Sequence, residues 1–359
     1  MELLVHECCH KVYLACATTR GHMFRPLPFL LLMILPMGCP QPASVDTDKD
    51  SETTSTRPAR LRVATWNIQG VGRPSSDQFA AAVQVINRLD ADVLGLNEID
   101  SNELVVINDL AKATGFSHVF VPDDNPFGGL RNAIFSKHPF ERSEAWTSAT
   151  VSGDSRANDV TRLPVSAEIK LPNNPHPVRI IAQHWKSGFD LSSRFRRAAD
   201  GYRTASAAVR DAPVHVIVFG DVNAVLSLMP EDPDPWTYKP TDNAMPSGWA
   251  AGPDLQAELD GPGLRNDAFH YLQAQGLEPL EALQLDGRDA TRPVSGKRID
   301  YVFASASIRA LQPVTEVYDC TDEGDEGALP KVGDTPPRQA CADASDHLPV
   351  LLEVVLPAQ

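Results

Sequence analysis

The chain of 359 residues has no internal repeat and no linker that would divide its middle. It also lacks a long hydrophobic run, since the apolar stretch at residues 27–37 is too short to cross a bilayer. These absences exclude a repeat array and argue against two equal domains. They favour one globular domain of about 250 to 300 residues that follows an amino-terminal tail.

Basic residues are scarce, with 32 Lys and Arg against 47 Asp and Glu and a net charge of -15. An acidic excess of this size argues at first sight against a polyanionic partner such as nucleic acid. Two segments carry most of it, because residues 224–262 have a net charge of -6 and residues 319–345 a net charge of -5. Only -4 is left for the rest of the chain, so a locally basic cleft is compatible with the sequence.

The amino terminus resembles an export signal. Residues 1–38 place a short apolar run after two arginines, which predicts a signal peptide, and residues 1–22 are interpreted as an over-extended start. Cys39 follows a glycine as at a bacterial lipoprotein cleavage site, although the residues before it depart from the usual pattern. We therefore expect a lipid on Cys39 and a flexible tether over residues 39–60, which are rich in Ser, Thr, Asp and Pro.

Few cysteines remain after the leader. Of the six in the chain, only Cys320 and Cys341 follow Cys39. Because an exported chain meets an oxidising environment, these two are expected to form a disulfide.

A buried strand over residues 214–223 ends in polar residues. Its β-branched run leads into Gly-Asp221-Val-Asn223, and alternation along a strand predicts that these two side chains converge on one ligand. Carboxylate and amide oxygens suit magnesium, manganese or calcium. An isolated motif of this kind is more often a simple turn, so a ligand site at Asp221 and Asn223 is indicated only together with the other motifs.

A strand–helix–strand unit comes first in the domain. Residues 61–68 form a predicted strand that ends near Asn67, residues 77–89 have helical spacing, and residues 92–99 form a second strand that ends near Glu98. The carboxyl ends of a parallel pair meet at one edge of a sheet, where α/β proteins bind ligands. We expect Asn67 and Glu98 to lie side by side there.

Further predicted strands also carry polar residues at their ends. These residues are Arg131 and Asn132, Arg162, His184 with Lys186, Asp300, and Asp346 with His347. Between them, residues 191–210 predict a helix bearing Arg194, Arg196, Arg197 and Arg203. For most of these arginines a solvated basic face is the preferred interpretation.

Taken in order, these motifs resemble the endonuclease/exonuclease/phosphatase superfamily, which includes DNase I, apurinic endonucleases, sphingomyelinases and inositol polyphosphate 5-phosphatases. The resemblance rests on Thr-Trp-Asn67-Ile, Leu-Asn-Glu98-Ile, Arg131-Asn132-Ala-Ile-Phe-Ser, Gln-His184-Trp, Gly-Asp221-Val-Asn223, Arg-Ile-Asp300-Tyr-Val and Ser-Asp346-His347-Leu-Pro. It implies an α/β fold, a four-layer sandwich of two mixed β-sheets packed face to face with helices outside. It makes residues 61–357 a catalytic domain with inserts at 224–262 and 319–345.

The resemblance also implies a role for each residue. Glu98 would be the main ligand of Mg²⁺ or Mn²⁺, with Asn67 and Asp346 nearby. Asp221 and Asn223 would orient the attacking water and the phosphate, and His184 would lie on the opposite side. His347, held by Asp300, would contact the phosphate or transfer a proton, and whether an aspartate or a histidine is the base stays open. Arg131, Asn132, Arg162 and Lys186 would bind the phosphate.

Three functions are compatible with these residues. The first is an exported, metal-dependent nuclease acting on DNA or RNA, because His184-Trp-Lys186-Ser resembles a stretch of extracellular nucleases. The second is a sphingomyelinase or another phosphodiesterase or phosphatase, for which Trp236, Tyr238 and Trp249 could enter a membrane. The third is a surface lipoprotein that binds without catalysis. We expect a monomer in the cell envelope or secreted, with a phosphodiester substrate and membrane contact only through its lipid.

Overall fold

The computed structural model describes residues 58–100, 104–123, 129–172, 174–226, 237–239, 244–322 and 329–358. The predicted signal peptide, Cys39 and the tether as far as residue 57 lie outside these residues. In the part that is described, no helix combines the length and the hydropathy that a bilayer crossing requires.

Strands and helices alternate along much of the chain. In the described residues the strands are β1 (Ala59–Asn67), β2 (Val93–Ile99), β3 (His118–Phe120), β4 (Arg131–Ser136), β5 (Phe140–Ala145), β6 (Val165–Ile169), β7 (Val178–His184), β8 (His215–Asp221), β9 (Thr237–Tyr238), β10 (Leu264–Arg265), β11 (Glu278–Pro279), β12 (Asp300–Ala304), β13 (Val314–Val317) and β14 (Val350–Leu356). The helices are α1 (Asp77–Leu89), α2 (Leu104–Ala113), α3 (Ser148–Ser152), α4 (Leu191–Val209), α5 (Pro253–Asp260), α6 (Phe269–Ala274), α7 (Ala306–Arg309) and α8 (Ala340–Ala344).

Two six-stranded mixed sheets form the centre of the fold. Their strand orders are β13-β14-β1-β2-β4-β3 and β11-β12-β8-β7-β6-β5. Each contains one parallel pair, β1 with β2 and β7 with β8, and its other pairs are antiparallel. The predicted α/β sandwich is confirmed, and both parallel pairs direct their carboxyl ends to the region described below.

The two sheets approach closely where β2 faces β8. A Cβ atom placed on Gly95 would lie only 1.8 Å from the ring of Phe219, so no side chain fits at that position. Phe219 and the strands around it are fully buried in one large apolar cluster. The glycine therefore allows an aromatic ring to fill the space between the sheets, which fixes their separation near the polar strand ends.

Several boundaries agree with the sequence and one differs clearly. Helix α1 has the predicted bounds, and Ser76 caps it by accepting a hydrogen bond from the backbone N–H of Phe79. The helix predicted around residues 265–275 is shorter, because Leu264–Arg265 pairs with Thr237–Tyr238 as a small two-stranded sheet. Pairing with a distant strand overrides the local helical pattern there.

The interpretation of α4 as a solvated basic face is wrong for Arg203. Its guanidinium is buried and forms an ion pair with the carboxylate of Asp159, which is itself fully buried. A second ion pair joins it to Asp254 at 2.7 Å, and Asp159 also accepts the backbone N–H of Gly252. Arg203 therefore links α4 to the loop that carries Asp159 and to the first turn of α5, which carries Asp254.

Removing Arg203 should cost much more stability than removing an exposed arginine. An Arg203→Ala variant leaves the Asp159 charge buried without its partner, and we expect a loss of about 3 to 5 kcal/mol in the free energy of unfolding. The control is Arg288→Ala, whose ion pair with Asp286 is exposed and should contribute little to stability, because solvent and salt screen it. Urea unfolding of both variants tests this, and equal losses would contradict it.

The predicted disulfide between Cys320 and Cys341 is confirmed, with a sequence separation of 21 residues. Cys341 lies in α8, whose last turn leads to Ser345, and the N–H of Ser345 donates to the Cys341 carbonyl. The Ser345 hydroxyl in turn accepts the N–H of His347. The disulfide thus supports the loop that carries a predicted site histidine.

Breaking this disulfide should destabilise the domain. Closing a loop of this length restricts the unfolded chain and stabilises the fold by roughly 3 kcal/mol on the chain-entropy model. We expect the Cys320→Ser/Cys341→Ser variant to unfold at a lower urea concentration, with wild-type protein in a reducing buffer behaving alike. Unchanged midpoints, or two free thiols in protein taken from oxidising conditions, would contradict the expectation.

Candidate active site

Three predicted site residues form one row across the second sheet. His184 at the end of β7 is paired with Asp221 at the end of β8, and Asp221 is paired with Asp300 at the start of β12. Side chains directly opposite each other on neighbouring strands project to the same face. The Nε2 atom of His184 accordingly lies 3.6 Å from Oδ2 of Asp221.

Two asparagines from the first sheet hold Asp221 from the other side. The side-chain amide of Asn67 donates to Oδ2 of Asp221 at 3.0 Å, and the backbone N–H of Asp221 donates to Oδ1 of Asn97 at 3.0 Å. Asn67 and Asn97 are themselves paired in the parallel register of β1 and β2. The site is therefore built at the junction of both sheets.

Sequence reasoning missed Asn97. It is fully buried, and its amide group donates to Oδ1 of Asn132 at 2.8 Å and to the carbonyl of Gln183 at 3.0 Å. Asn132, predicted to bind phosphate, is placed in this buried network and donates to the carbonyl of Leu163. A signal for Asn97 is present in the sequence, because it is a polar residue inside the apolar run that ends at Glu98.

Glu98 has an unusual backbone conformation. Its φ is +61°, in the left-handed region, and the pairing of β2 with β4 shifts register between Leu96 and Ile99. A non-glycine residue in this region costs free energy, typically of order 1 to 3 kcal/mol, and such residues concentrate at functional sites. The bulge turns the carboxylate toward the second sheet, where Oε1 lies 3.7 Å from Nε2 of His184.

Asp300 and His347 form a buried pair. The Nδ1 atom of His347 lies 2.8 Å from Oδ2 of Asp300, as the sequence predicted. The same Oδ2 accepts the hydroxyl of Thr291 at 2.7 Å, and that hydroxyl oxygen accepts the N–H of Ile299 and of Asp300. Thr291 was not foreseen, because it lies in an irregular segment without a motif.

The protonation of this cluster suits phosphate chemistry. Burial alone would lower the pKa of His347, but the charge and hydrogen bond of Asp300 outweigh it and raise that pKa to about 9. Burial and the nearby Asp300 carboxylate raise the pKa of Asp221 to about 7. At neutral pH His347 is a cation, and its Nε2 lies 4.0 Å from a carboxylate oxygen of Asp221 that can exchange a proton.

The pKa of His184 is shifted in the opposite direction to that of His347. Burial lowers its pKa well below the ordinary value, and the positive charges of Arg162, His347 and Lys186 lower it further. The imidazole is therefore neutral, and its short distances to Glu98 and Asp221 are contacts without an ion pair. Within the described residues neither of its ring nitrogens has a hydrogen-bond partner.

Asp346 is engaged by a residue that the sequence did not single out. Its Oδ2 accepts two hydrogen bonds from the guanidinium of Arg292, at 3.0 and 2.7 Å, and its Oδ1 lies 3.8 Å from Nε2 of His347. Asp346 thus lies beside the imidazole of His347. Its role as a metal ligand stays a prediction.

A metal ion fits the donor groups of this region. Among the described residues, ligand atoms of Glu98, His184 and Asp221 lie within 4.8 Å of one another, as do those of Asp221, Asp300 and His347. The first group combines two carboxylates with a neutral imidazole whose nitrogens make no hydrogen bond in the described structure, a donor set that divalent cations accept.

The predicted phosphate-binding cations lie at different depths. Arg162 donates to the carbonyl of Trp185 at 2.8 Å and lies within the electrostatic influence of Glu98 and Asp221. Lys186 follows His184 and its backbone N–H donates to the buried Asp200. Arg131 is nearly buried and donates to the carbonyl of Asp123. Of these cations, Arg162 and Lys186 are thus the ones that lie near the row formed by His184, Asp221 and Asp300.

Asn223 lies beyond the end of β8, so strand alternation does not align its side chain with that of Asp221 as predicted. Strand β8 ends at Asp221, and Asn223 has a φ of +50°, so alternation no longer determines its direction. Its backbone N–H donates to Oδ1 of Asp221 at 2.8 Å, and its side chain donates to the carbonyl of Trp185 at 3.1 Å. Asn223 therefore stabilises the end of β8 instead of facing the same ligand from the same strand.

Buried carboxylates and imidazoles at the ends of strands from two packed sheets, with cations around them, define a metal-dependent hydrolase of phosphate esters. Residues 64–347 match the model of the Endonuclease/Exonuclease/phosphatase family, and the chain belongs to that family. None of the curated proteins matches it in sequence.

Solved structures agree with this fold at low sequence identity. An endonuclease/exonuclease/phosphatase from Beutenbergia cavernae DSM 12333 superposes with a TM-score of 0.51 and 18% identity, over 83% of this chain and 72% of that one. ANGEL2, a 2′,3′-cyclic phosphatase crystallised with adenosine-2′,3′-vanadate, gives a TM-score of 0.51 and 15% identity, over 83% of this chain and 96% of that one. At these identities the likeness concerns the fold.

Proposed function

We propose that the protein is an exported nuclease that hydrolyses phosphodiester bonds of DNA or RNA with the help of Mg²⁺ or Mn²⁺. The observation that carries this proposal is the cationic His347 between two buried aspartates, at the end of a row that leads to Glu98. A phosphodiester is an anion that needs both charge neutralisation and an activated water, and this arrangement offers both.

Each residue has a defined task in this proposal. The imidazolium of His347, fixed by Asp300, donates a hydrogen bond from Nε2 to a phosphate oxygen. Asp221, held by Asn67 and by the backbone of Asn223, accepts the proton of the attacking water. Arg162 and Lys186 attract the anionic substrate to this edge of the sheets.

Glu98 is the main metal ligand in this proposal, and Asn67 and Asp346 stay the other predicted ligands. Because the Asn67 amide binds Asp221 and Asp346 binds Arg292, the carboxylate of Glu98 is the least engaged of the three. A divalent cation held there would neutralise charge that develops on the phosphate.

Two observations support the export and nuclease parts of the proposal. The disulfide between Cys320 and Cys341 is typical of proteins in oxidising compartments, and we propose that a lipid on Cys39 anchors the chain in the cell envelope. Of the aromatic residues that a sphingomyelinase could insert into a membrane, Tyr238 is fully buried and Trp249 packs on Phe195. Trp236 lies outside the described residues.

Activity against a panel of substrates tests the proposal. Purified protein is incubated with plasmid DNA, RNA, sphingomyelin and a simple nitrophenyl phosphodiester, with Mg²⁺, with Mn²⁺ and with excess chelator. We expect cleavage of nucleic acid that depends on the metal. Cleavage of sphingomyelin alone would reject the nuclease, and full activity in excess chelator would reject the metal.

A further inference from the structure

A cavity of about 260 Å³ lies next to the predicted site residues around Asp221 and Asp346. We call it the basic pocket, and its walls include Phe189, Arg194, Arg197, Asn223, Arg292 and Lys297. Asn223 hydrogen-bonds Asp221, and Arg292 binds Asp346. Two wall residues of the pocket thus hydrogen-bond to predicted site residues, so the pocket lies beside the site where a phosphate would be cleaved.

The charge of this pocket is opposite to that of the whole protein. Four of its lining side chains are cationic, although one of them, Arg292, is neutralised by its ion pair with Asp346, and the lining has one acid, Asp267. A positive excess therefore remains in the pocket, whereas the chain has a net charge of -15. Arg197 uses its guanidinium to bind the carbonyls of Lys186 and Gly188, which leaves its positive charge without neutralisation by those partners. Such a local excess attracts an anion.

An exposed aromatic ring lies at the same place. The side chain of Phe189 is 77% exposed, which is rare for a residue of its size, and the ammonium of Lys297 lies 5.2 Å from the centre of its ring. An aromatic face beside a cation is the arrangement with which proteins bind a nucleobase and its phosphate.

We propose that the basic pocket binds one nucleotide unit of the substrate, adjacent to the phosphate that is cleaved. The base stacks on Phe189, and the phosphate attached to that nucleotide is bound by Lys297 and Arg194. This inference rests on the proposed nuclease function and narrows its substrate to a strand whose base can leave the helical stack.

The size and charge of the basic pocket support this ligand over the alternatives. Its volume of about 260 Å³ is close to the lower end of the range for pockets that bind drug-sized ligands, roughly 300 Å³, which suits one nucleotide unit better than a base pair. A choline group carries a positive charge, which the cationic side chains of Arg194, Arg197 and Lys297 would repel.

Two matched substrates isolate the pocket. The first is thymidine 5′-phosphate with a para-nitrophenyl phosphodiester on its 3′ oxygen (the thymidine ester), and the second is methyl para-nitrophenyl phosphate. They share the leaving group and the reaction, in which water attacks the phosphorus of the diester and para-nitrophenolate departs. Only the first has a base. We expect the wild-type enzyme to prefer the thymidine ester by about tenfold or more in kcat/KM, since stacking of a base has an effect of this order.

Variants then assign that preference to the pocket. Phe189→Ala should reduce the ratio of the two kcat/KM values about tenfold, whereas Phe189→Trp should retain the wild-type ratio because it keeps an aromatic ring. Lys297→Gln should reduce the ratio by a smaller factor. The controls are Val105→Ala and Lys112→Gln, an exposed apolar residue and an exposed lysine on α2, which should keep the wild-type ratio. A wild-type ratio in Phe189→Ala would overturn the inference.

Different experimental results would contradict the inference and the proposed function. An enzyme that cleaves both esters equally well is a phosphodiesterase whose pocket does not bind a nucleotide. If neither ester nor nucleic acid is cleaved, the proposed function fails, and the affinity for thymidine 5′-phosphate, compared between wild type and Phe189→Ala, still decides whether the pocket binds a nucleotide. If Phe189→Ala abolishes binding to phosphatidylglycerol vesicles and leaves the substrate ratio unchanged, the pocket rim is a membrane contact and the inference is overturned.

Discussion

Replacing Glu98 with alanine is expected to lower kcat/KM by roughly three orders of magnitude or more, because the proposed mechanism makes this carboxylate the main ligand of the divalent cation. The same variant should lose affinity for Mn²⁺ in a direct binding measurement. Glu98→Gln should behave similarly, since the amide retains the shape of the side chain without its charge. Initial rates on the substrate identified by the panel, measured over a range of metal concentrations, test this expectation.

Controls for the Glu98 variants separate chemistry from folding. Glu141→Ala removes an exposed glutamate of β5, whose carboxylate lies 3.6 Å from the ammonium of Lys170, and should leave activity unchanged. Glu98→Gly should be at least as stable as Glu98→Ala, because glycine tolerates the φ of +61° without strain. Wild-type activity in Glu98→Ala with an intact circular dichroism spectrum would remove Glu98 from the mechanism.

Asp300 and His347 are expected to act as one unit. His347→Ala should lower the turnover number by about 100- to 10,000-fold, since it removes the charged donor that the proposed mechanism places on the phosphate. Asp300→Asn should cause a similar loss, because the pKa of His347 is raised chiefly by this carboxylate. The double variant should then be no worse than the more damaged single variant.

The turnover numbers of the three variants measure this coupling, with His176→Ala, at an exposed histidine, as the control. Circular dichroism verifies that each variant folds. Losses that multiply in the double variant would mean that the two residues act independently. Near wild-type activity of Asp300→Asn would exclude Asp300 from the mechanism.

Much of the fold could be predicted because local pattern and final structure agree. The helix Asp77–Leu89 has a clear apolar face and a serine cap, and the strands on either side of it are apolar runs with a polar residue at one end. The general position of Asn67 and Glu98 followed from that unit alone. The pairing of Cys320 with Cys341 followed from counting cysteines.

The details of the site depend on contacts between distant residues, which no local pattern contains. Asn97 and Asp221 are 124 residues apart and meet only because β2 packs on β8. Arg292 lies in an irregular segment, and its guanidinium reaches Asp346, 54 residues later in the chain, only in the folded structure. Asn223 was misplaced because its backbone leaves the strand conformation just after Asp221, a change that residue alternation cannot predict.

The row formed by His184, Asp221 and Asp300 makes enzymatic activity a measure of folding accuracy. These residues meet only in the native alignment of β7, β8 and β12, and a slip of one residue in any of these strands would turn its side chain to the opposite face of the sheet. A molecule with a shifted strand could retain much of its secondary structure and still have no assembled catalytic row. In refolding experiments, recovered turnover would therefore count correctly aligned molecules, whereas circular dichroism would also count the misaligned ones.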